Sequence, residues 1–107
     1  MKTIIKNKKS YDAIRKIDFG DKVVIITFGT DWCDSCKKLE KEIELIDNIL
    51  YYNLDISNEE FIDLVEEKEV FKIPYTEIIY KNKSISFTGL KSKDNILTKI
   101  KILISSE

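Results

Sequence analysis

Lys22-Val23-Val24-Ile25-Ile26-Thr27-Phe28-Gly29-Thr30-Asp31-Trp32-Cys33-Asp34-Ser35-Cys36-Lys37 couples an unbroken apolar, largely β-branched run to two cysteines three positions apart. From Lys22 to Phe28 there is no polar alternation. That pattern predicts a strand covered on both faces, the central strand of a parallel sheet. Beyond Gly29, the residues Leu39, Ile43 and Ile46 recur at helical spacing with Lys and Glu between them, predicting a helix to about Asp47 that packs on the sheet by this stripe. Cys33 and Cys36 therefore fall where a buried strand ends and a helix begins.

Working outward, Met1 to Lys6 is a short apolar stretch suited to an edge strand. Ser10 offers an N-cap to a helix carrying Ala13, Ile14 and Ile17, which Gly20-Asp21 stops. Ile49 to Asp55 reads as a second buried strand, and Ser57-Asn58-Glu59-Glu60 has the capping-box pattern ahead of a helix with Phe61, Ile62, Leu64 and Val65. Thr76 to Tyr80 and Ile85 to Thr88, separated by Lys81-Asn82-Lys83-Ser84, predict an antiparallel hairpin. Asp94 to Ser105 predicts a closing helix faced by Ile96, Leu97, Ile100 and Leu103. The order βαβαβαββα describes an α/β fold, a mixed central sheet with helices on both faces. Residues 1–107 read as one domain, with no linker, repeat or low-complexity segment.

Composition narrows the function. Hydrophobic residues make up 43% and charged residues 35% of the chain, which favours neither disorder nor membrane residence. Eighteen basic residues against nineteen acidic leave a net charge of −1, so no global field draws the protein to nucleic acid or an anionic bilayer. Lys81-Asn82-Lys83 and Lys91-Ser92-Lys93 read as solvated loop charge with no nucleic-acid role. The first residues are interrupted by Asn7-Lys8-Lys9 and lack the apolar stretch of a signal peptide or membrane span. Two cysteines are too few for a disulfide scaffold and suit a reducing cytoplasm, the expected location. A monomer is expected, since nothing beyond the groove described below reads as an exposed apolar interface.

The helix start gives the first sulfur unpaired N–H groups and the positive end of the helix dipole, a combination that stabilises a thiolate. Cys33 is expected to be accessible and nucleophilic, and Cys36, one turn inside, to be more buried and to resolve the mixed disulfide. Zinc knuckles use the same spacing. With no histidine and no third cysteine, however, only carboxylates or a second subunit could complete a tetrahedral site, so neither metal nor other cofactor is expected. Two small apolar side chains that merely pack are the remaining alternative.

Phe28, Asp31-Trp32-Cys33-x-x-Cys36-Lys37, Asn53-Leu54-Asp55, Ile73-Pro74 and Gly89, in this order and spacing along most of the chain, resemble the thioredoxin family. The resemblance implies a thioredoxin fold and a thiol–disulfide oxidoreductase acting on disulfide-containing proteins, in particular a protein-disulfide reductase served by a thioredoxin-reductase-type electron donor. It also implies that Pro74 is a cis-proline facing the cysteines, leaving the Ile73 backbone free to pair with an extended substrate. Trp32, Ile73, Pro74, Tyr75 and Gly89 would line the substrate groove. On the residue alone, an ordinary trans proline at a strand start fits Pro74 better, and only in combination with the cysteine pair does the cis form become the expectation. Partial core burial fits Trp32, and a plain turn with positive φ fits Gly89.

The chain also departs from the family. Thr27 stands where thioredoxins usually carry a buried Asp, and Tyr51 where they carry its companion Lys, so the usual proton-handling pair for the inner cysteine is absent. Asp34-Ser35 replaces the common Gly-Pro, and Tyr75 the common Thr. Asp31 and Asp34 should oppose ionisation of Cys33, while Lys37 and the helix end favour it. The expectation is a reductant with a potential nearer about −270 mV, the general thioredoxin value, than about −120 mV. A redox-sensitive binding module is the alternative that the missing pair suggests. Glutathione-linked glutaredoxin activity is a third, for which no glutathione-binding signature is apparent.

Overall fold

Residues 1–106 are described in the computed structural model of the protein. Along the chain run β1 (Lys2–Ile4), α1 (Lys8–Lys16), β2 (Val23–Gly29), α2 (Asp34–Glu44) and β3 (Ile49–Asp55). A 3-10 turn at Glu59–Phe61 leads into α3 (Ile62–Glu67), followed by β4 (Tyr75–Tyr80), β5 (Lys83–Thr88) and α4 (Lys93–Ser105). The strands form one sheet in the order β1-β3-β2-β4-β5. β1 and β2 are parallel to β3, whereas β4 runs antiparallel to both β2 and β5.

The apolar run of β2 is explained by its central place: all seven of its residues are buried. On one face Val23 and Ile25 join Tyr51 and Ile78 beneath Leu39 and Ile43 of α2 and Ile96, Ile100 and Leu103 of α4. On the other, Val24, Ile26 and Phe28 join Leu54 against Tyr11 of α1, Phe61 and Leu64. A strand packed on both faces has no use for alternate polar residues. Each buried aliphatic or aromatic side chain contributes roughly 1.5–3 kcal/mol of transfer free energy, so these two cores hold the sheet end that carries the cysteines.

Local details differ from expectation where two residues compete for one role. Asn7, not Ser10, caps α1, its side chain accepting the Ser10 N–H at 2.8 Å. The helix stops at Lys16, ahead of Gly20, whose φ of 66° serves the turn into β2 instead. The cap before α3 is Asn58, accepting from the Glu60 N–H, while Ser57 bonds back to Asp55. The α2 helix ends at Glu44, three residues short of Asp47. The hairpin closes through Lys81 and Asn82 alone, since Tyr80 and Lys83 are paired, and Lys81 adopts a φ of 56°. Among the described residues no helix is long and apolar enough to cross a membrane.

Candidate active site

Cys33 is the N-cap of α2, with extended backbone (φ −90°, ψ 108°). Its Sγ accepts the Cys36 N–H at 3.2 Å and lies 3.4 Å from Ser35 Oγ, while its carbonyl accepts the Lys37 N–H at 3.2 Å. The first sulfur thus takes up one of the N–H groups that a helix start leaves unpaired, and a thiolate there would meet the same donor with a full charge. Cys33 and Cys36 are joined as a disulfide with Cα atoms 5.2 Å apart. Both cysteines are half-buried. Asp31, Asp34 and Lys37 are exposed around them.

Beneath the pair, the sheet presents a row of residues from four strand ends. Gly29 is in register with Asp55 of β3. Continuing the β2–β4 and β4–β5 ladders by one step brings Pro74 beside Gly29 and Gly89 beside Pro74. The Gly89 N–H donates to the Pro74 carbonyl at 2.8 Å, which anchors that row. The Ile73–Pro74 peptide is cis, and Gly89 has a φ of 86° that only glycine takes without strain. A Cβ at position 29 would lie 2.9 Å from Cys36 Sγ, so glycine is what lets Cys36 settle on the sheet. Gly29 was not singled out in the sequence, although its place between strand and motif was the available sign.

The remaining groove residues separate. Trp32 is 71% exposed, which excludes partial core burial. Ile73 is half-buried beside Pro74. Tyr75 turns its ring to the opposite face of the sheet, where it meets Phe28 edge-on at 5.1 Å between centroids. It packs there because successive strand residues alternate faces, and Pro74 and Thr76 occupy the cysteine side. Phe71, two residues before Ile73, is 86% exposed, and Leu90, just after Gly89, is also exposed; neither was anticipated.

Two residues down the strand from Gly29 lies the position where an acid was missing. Thr27 Oγ1 receives the Asn53 side-chain amide at 2.7 Å and lies 3.2 Å from the Tyr51 hydroxyl. Burial pushes the Tyr51 phenol up to about 12, the nearby Glu40 and Glu44 carboxylates adding to this and the Thr27 hydrogen bond opposing it. The place of a charged pair is taken by three neutral groups that satisfy one another. Asn53 was the member not identified in this role. An open cleft of about 170 Å³ adjoins this network, and Cys36, Tyr51, Asn53 and Glu40 all border it.

The thioredoxin family model matches residues 2–102. The chain belongs to the thioredoxin family. Thioredoxin-2 of Saccharomyces cerevisiae is 34% identical over 85 residues, covering 76% of this chain and 77% of the yeast protein. Thioredoxin domain-containing protein 2 of Rattus norvegicus is 30% identical over 86 residues, and the matched part is only 15% of the rat protein. Among solved structures, the short form of thioredoxin F from spinach chloroplast superposes with a TM-score of 0.74 at 31% identity, covering 97% of this chain and 94% of the spinach one. The thioredoxin fold expected from the sequence is the fold found. Within it, Cys33 and Cys36 form the Cys-x-x-Cys pair of a thiol–disulfide oxidoreductase.

Proposed function

We propose that this member of the thioredoxin family is a protein-disulfide reductase. The observation that carries the proposal is Cys33 Sγ at the N-cap of α2, accepting the Cys36 N–H at 3.2 Å. As a thiolate, Cys33 attacks one sulfur of a substrate disulfide and the other sulfur leaves; Cys36 then attacks Cys33, releasing the second substrate sulfur and closing the Cys33–Cys36 disulfide. A dithiol donor of the thioredoxin-reductase type returns two electrons. The groove formed by Trp32, Ile73, Pro74 and Gly89, with Phe71 and Leu90 at its margins, receives an extended substrate segment. We place this activity in a reducing cytoplasm, carried out by a monomer.

The experiment is reduction of insulin's disulfides with dithiothreitol as electron source. Turnover by wild type, none by Cys33→Ser and a trapped mixed disulfide with Cys36→Ser are expected. A second reading, a redox-sensitive binding module, is favoured by the neutral Thr27, Tyr51 and Asn53 network beneath Cys36. Absence of turnover in wild type, together with partner binding that changes with the redox state of the pair, would select it.

A further inference from the structure

Resolution requires that Cys36 lose a proton, and the side chains gathered where the family's acid is missing are all neutral. Thr27, Tyr51 and Asn53 are hydrogen-bonded to one another, and burial keeps the Tyr51 hydroxyl protonated near neutral pH. The lateral cleft differs. Its volume of about 170 Å³ leaves room for several waters, at roughly 30 Å³ each in the liquid. Cys36 and Glu40 both border it and stand four residues apart on α2, hence on one face of the helix. Thr30 Oγ1, buried and without a protein partner, lies on the same wall.

We propose that Glu40 is the proton acceptor for Cys36, reached through solvent in this cleft, when Cys36 attacks the mixed disulfide. This rests on the reductase reading above and adds the residue that replaces the missing acid. Lys2 of β1 forms an ion pair with Glu40, and both residues line the cleft; their side chains are 35% and 28% exposed. The other acids at the cleft are less suited. Asp55 Oδ1 accepts both the Ser57 N–H at 2.8 Å and the Ser57 hydroxyl at 2.6 Å, and Asp31 is exposed on the loop.

The Cys36 S–H proton passes to Glu40, and the electron pair left on Cys36 Sγ forms the bond to Cys33 Sγ. The bond between Cys33 Sγ and the substrate sulfur breaks, its electron pair leaving on the substrate sulfur. That sulfur takes up the proton from Glu40 through the same solvent, so the carboxylate is regenerated and the substrate departs as a thiol.

The test is a single-turnover reaction of the reduced protein with a disulfide-containing peptide, quenched with acid and alkylated so that the mixed disulfide is counted by mass. Glu40→Gln should form the mixed disulfide within about twofold of the wild-type rate but resolve it about tenfold more slowly at neutral pH, a modest general-base effect. Glu40→Asp should recover most of the rate. Resolution in Glu40→Gln should climb toward wild type as pH rises and hydroxide takes over. The charged and titratable groups facing Glu40 are Lys2 from β1, Lys37 and Glu44 on α2, Asp31 from the preceding loop, and Tyr51 and Asp55 from β3. Lys2→Met, which removes the ion pair but keeps the carboxylate, should stay within about threefold of wild type. Unchanged resolution and pH profile in Glu40→Gln overturns the inference, as does an equal defect in Lys2→Met, which would make the role structural. If wild type forms no mixed disulfide at all, the reductase reading fails and this inference with it.

Discussion

Gly29 lies under Cys36 so closely that a methyl group at position 29 would stand 2.9 Å from the sulfur and 3.3 Å from Cys36 Cβ. Neither atom can swing aside freely, because Cys36 is in the first turn of α2 and tied to Cys33. Gly29→Ala is therefore expected to push the start of α2 off the sheet. Overpacking of this kind costs about 1–3 kcal/mol, which in a domain of this size lowers Tm by roughly 5–15 °C. Thermal unfolding of the oxidised protein checks the stability, and insulin reduction should fall in parallel. An unchanged Tm would show that the helix absorbs the methyl group.

Glu77, 4% exposed on β4, accepts the Tyr11 hydroxyl at 2.5 Å and faces Lys68 Nζ at 3.2 Å and Arg15 Nη1 at 3.7 Å. Removing a buried charge while its partners remain is strongly destabilising. Because both cations are partly exposed, Glu77→Gln is expected near the low end of the usual range, about 3 kcal/mol, and Tyr11→Phe about 1.5 kcal/mol. Replacing Glu77, Arg15 and Lys68 together by Leu, Met and Met should be much milder than Glu77→Gln alone. Urea unfolding of the variants distinguishes these outcomes.

Alkaline stability follows from two phenols. Burial, the hydrogen bond to Glu77 and its charge push Tyr11 well above the ordinary phenol value of 10.0, and burial raises Tyr51 to about 12. Above pH 10 the unfolded chain loses these protons while the folded chain keeps them, so stability falls as pH rises through that window and is fully present below it. Each tyrosine contributes a slope of at most about 1.4 kcal/mol per pH unit. Denaturant midpoints at pH 9.5, 10.5 and 11.5 should fall less steeply in Tyr11→Phe and in Tyr51→Phe than in wild type. Parallel slopes in all three proteins would refute the assignment.

Trp32 and Phe71 are 71% and 86% exposed, and neither belongs to either core. Large exposed aromatics of this kind act as contact anchors, where truncation typically costs about 1–2 kcal/mol of binding. Trp32→Ala and Phe71→Ala should each leave the unfolding midpoint within about 0.5 kcal/mol of wild type. Each should lower kcat/KM for a protein disulfide by about tenfold, with little change for a small-molecule disulfide that does not span the groove. Equal losses on both substrates would place the effect on the cysteines instead.

What the amino-acid order determined alone was whatever repeats or contrasts within a dozen residues. The unbroken Val23 to Phe28 run placed β2 at the centre, since only a strand packed on both faces dispenses with polar alternation. The same local logic set the order of elements and put Cys33 at a helix start. It was least reliable where neighbours compete, as Asn7 and Ser10 do for one cap. What tertiary structure alone decided was whatever depends on register between distant segments. The clearance that Gly29 gives Cys36, the bonding of Thr27 to Tyr51 and Asn53, the turning of Tyr75 toward Phe28, and the meeting of Lys2 with Glu40 all belong here. Apart from Gly29, whose place between strand and motif is visible locally, none has a local sign, because which residues meet depends on how distant strands pair, and a shift of one residue would send a strand's side chains to the other face of the sheet.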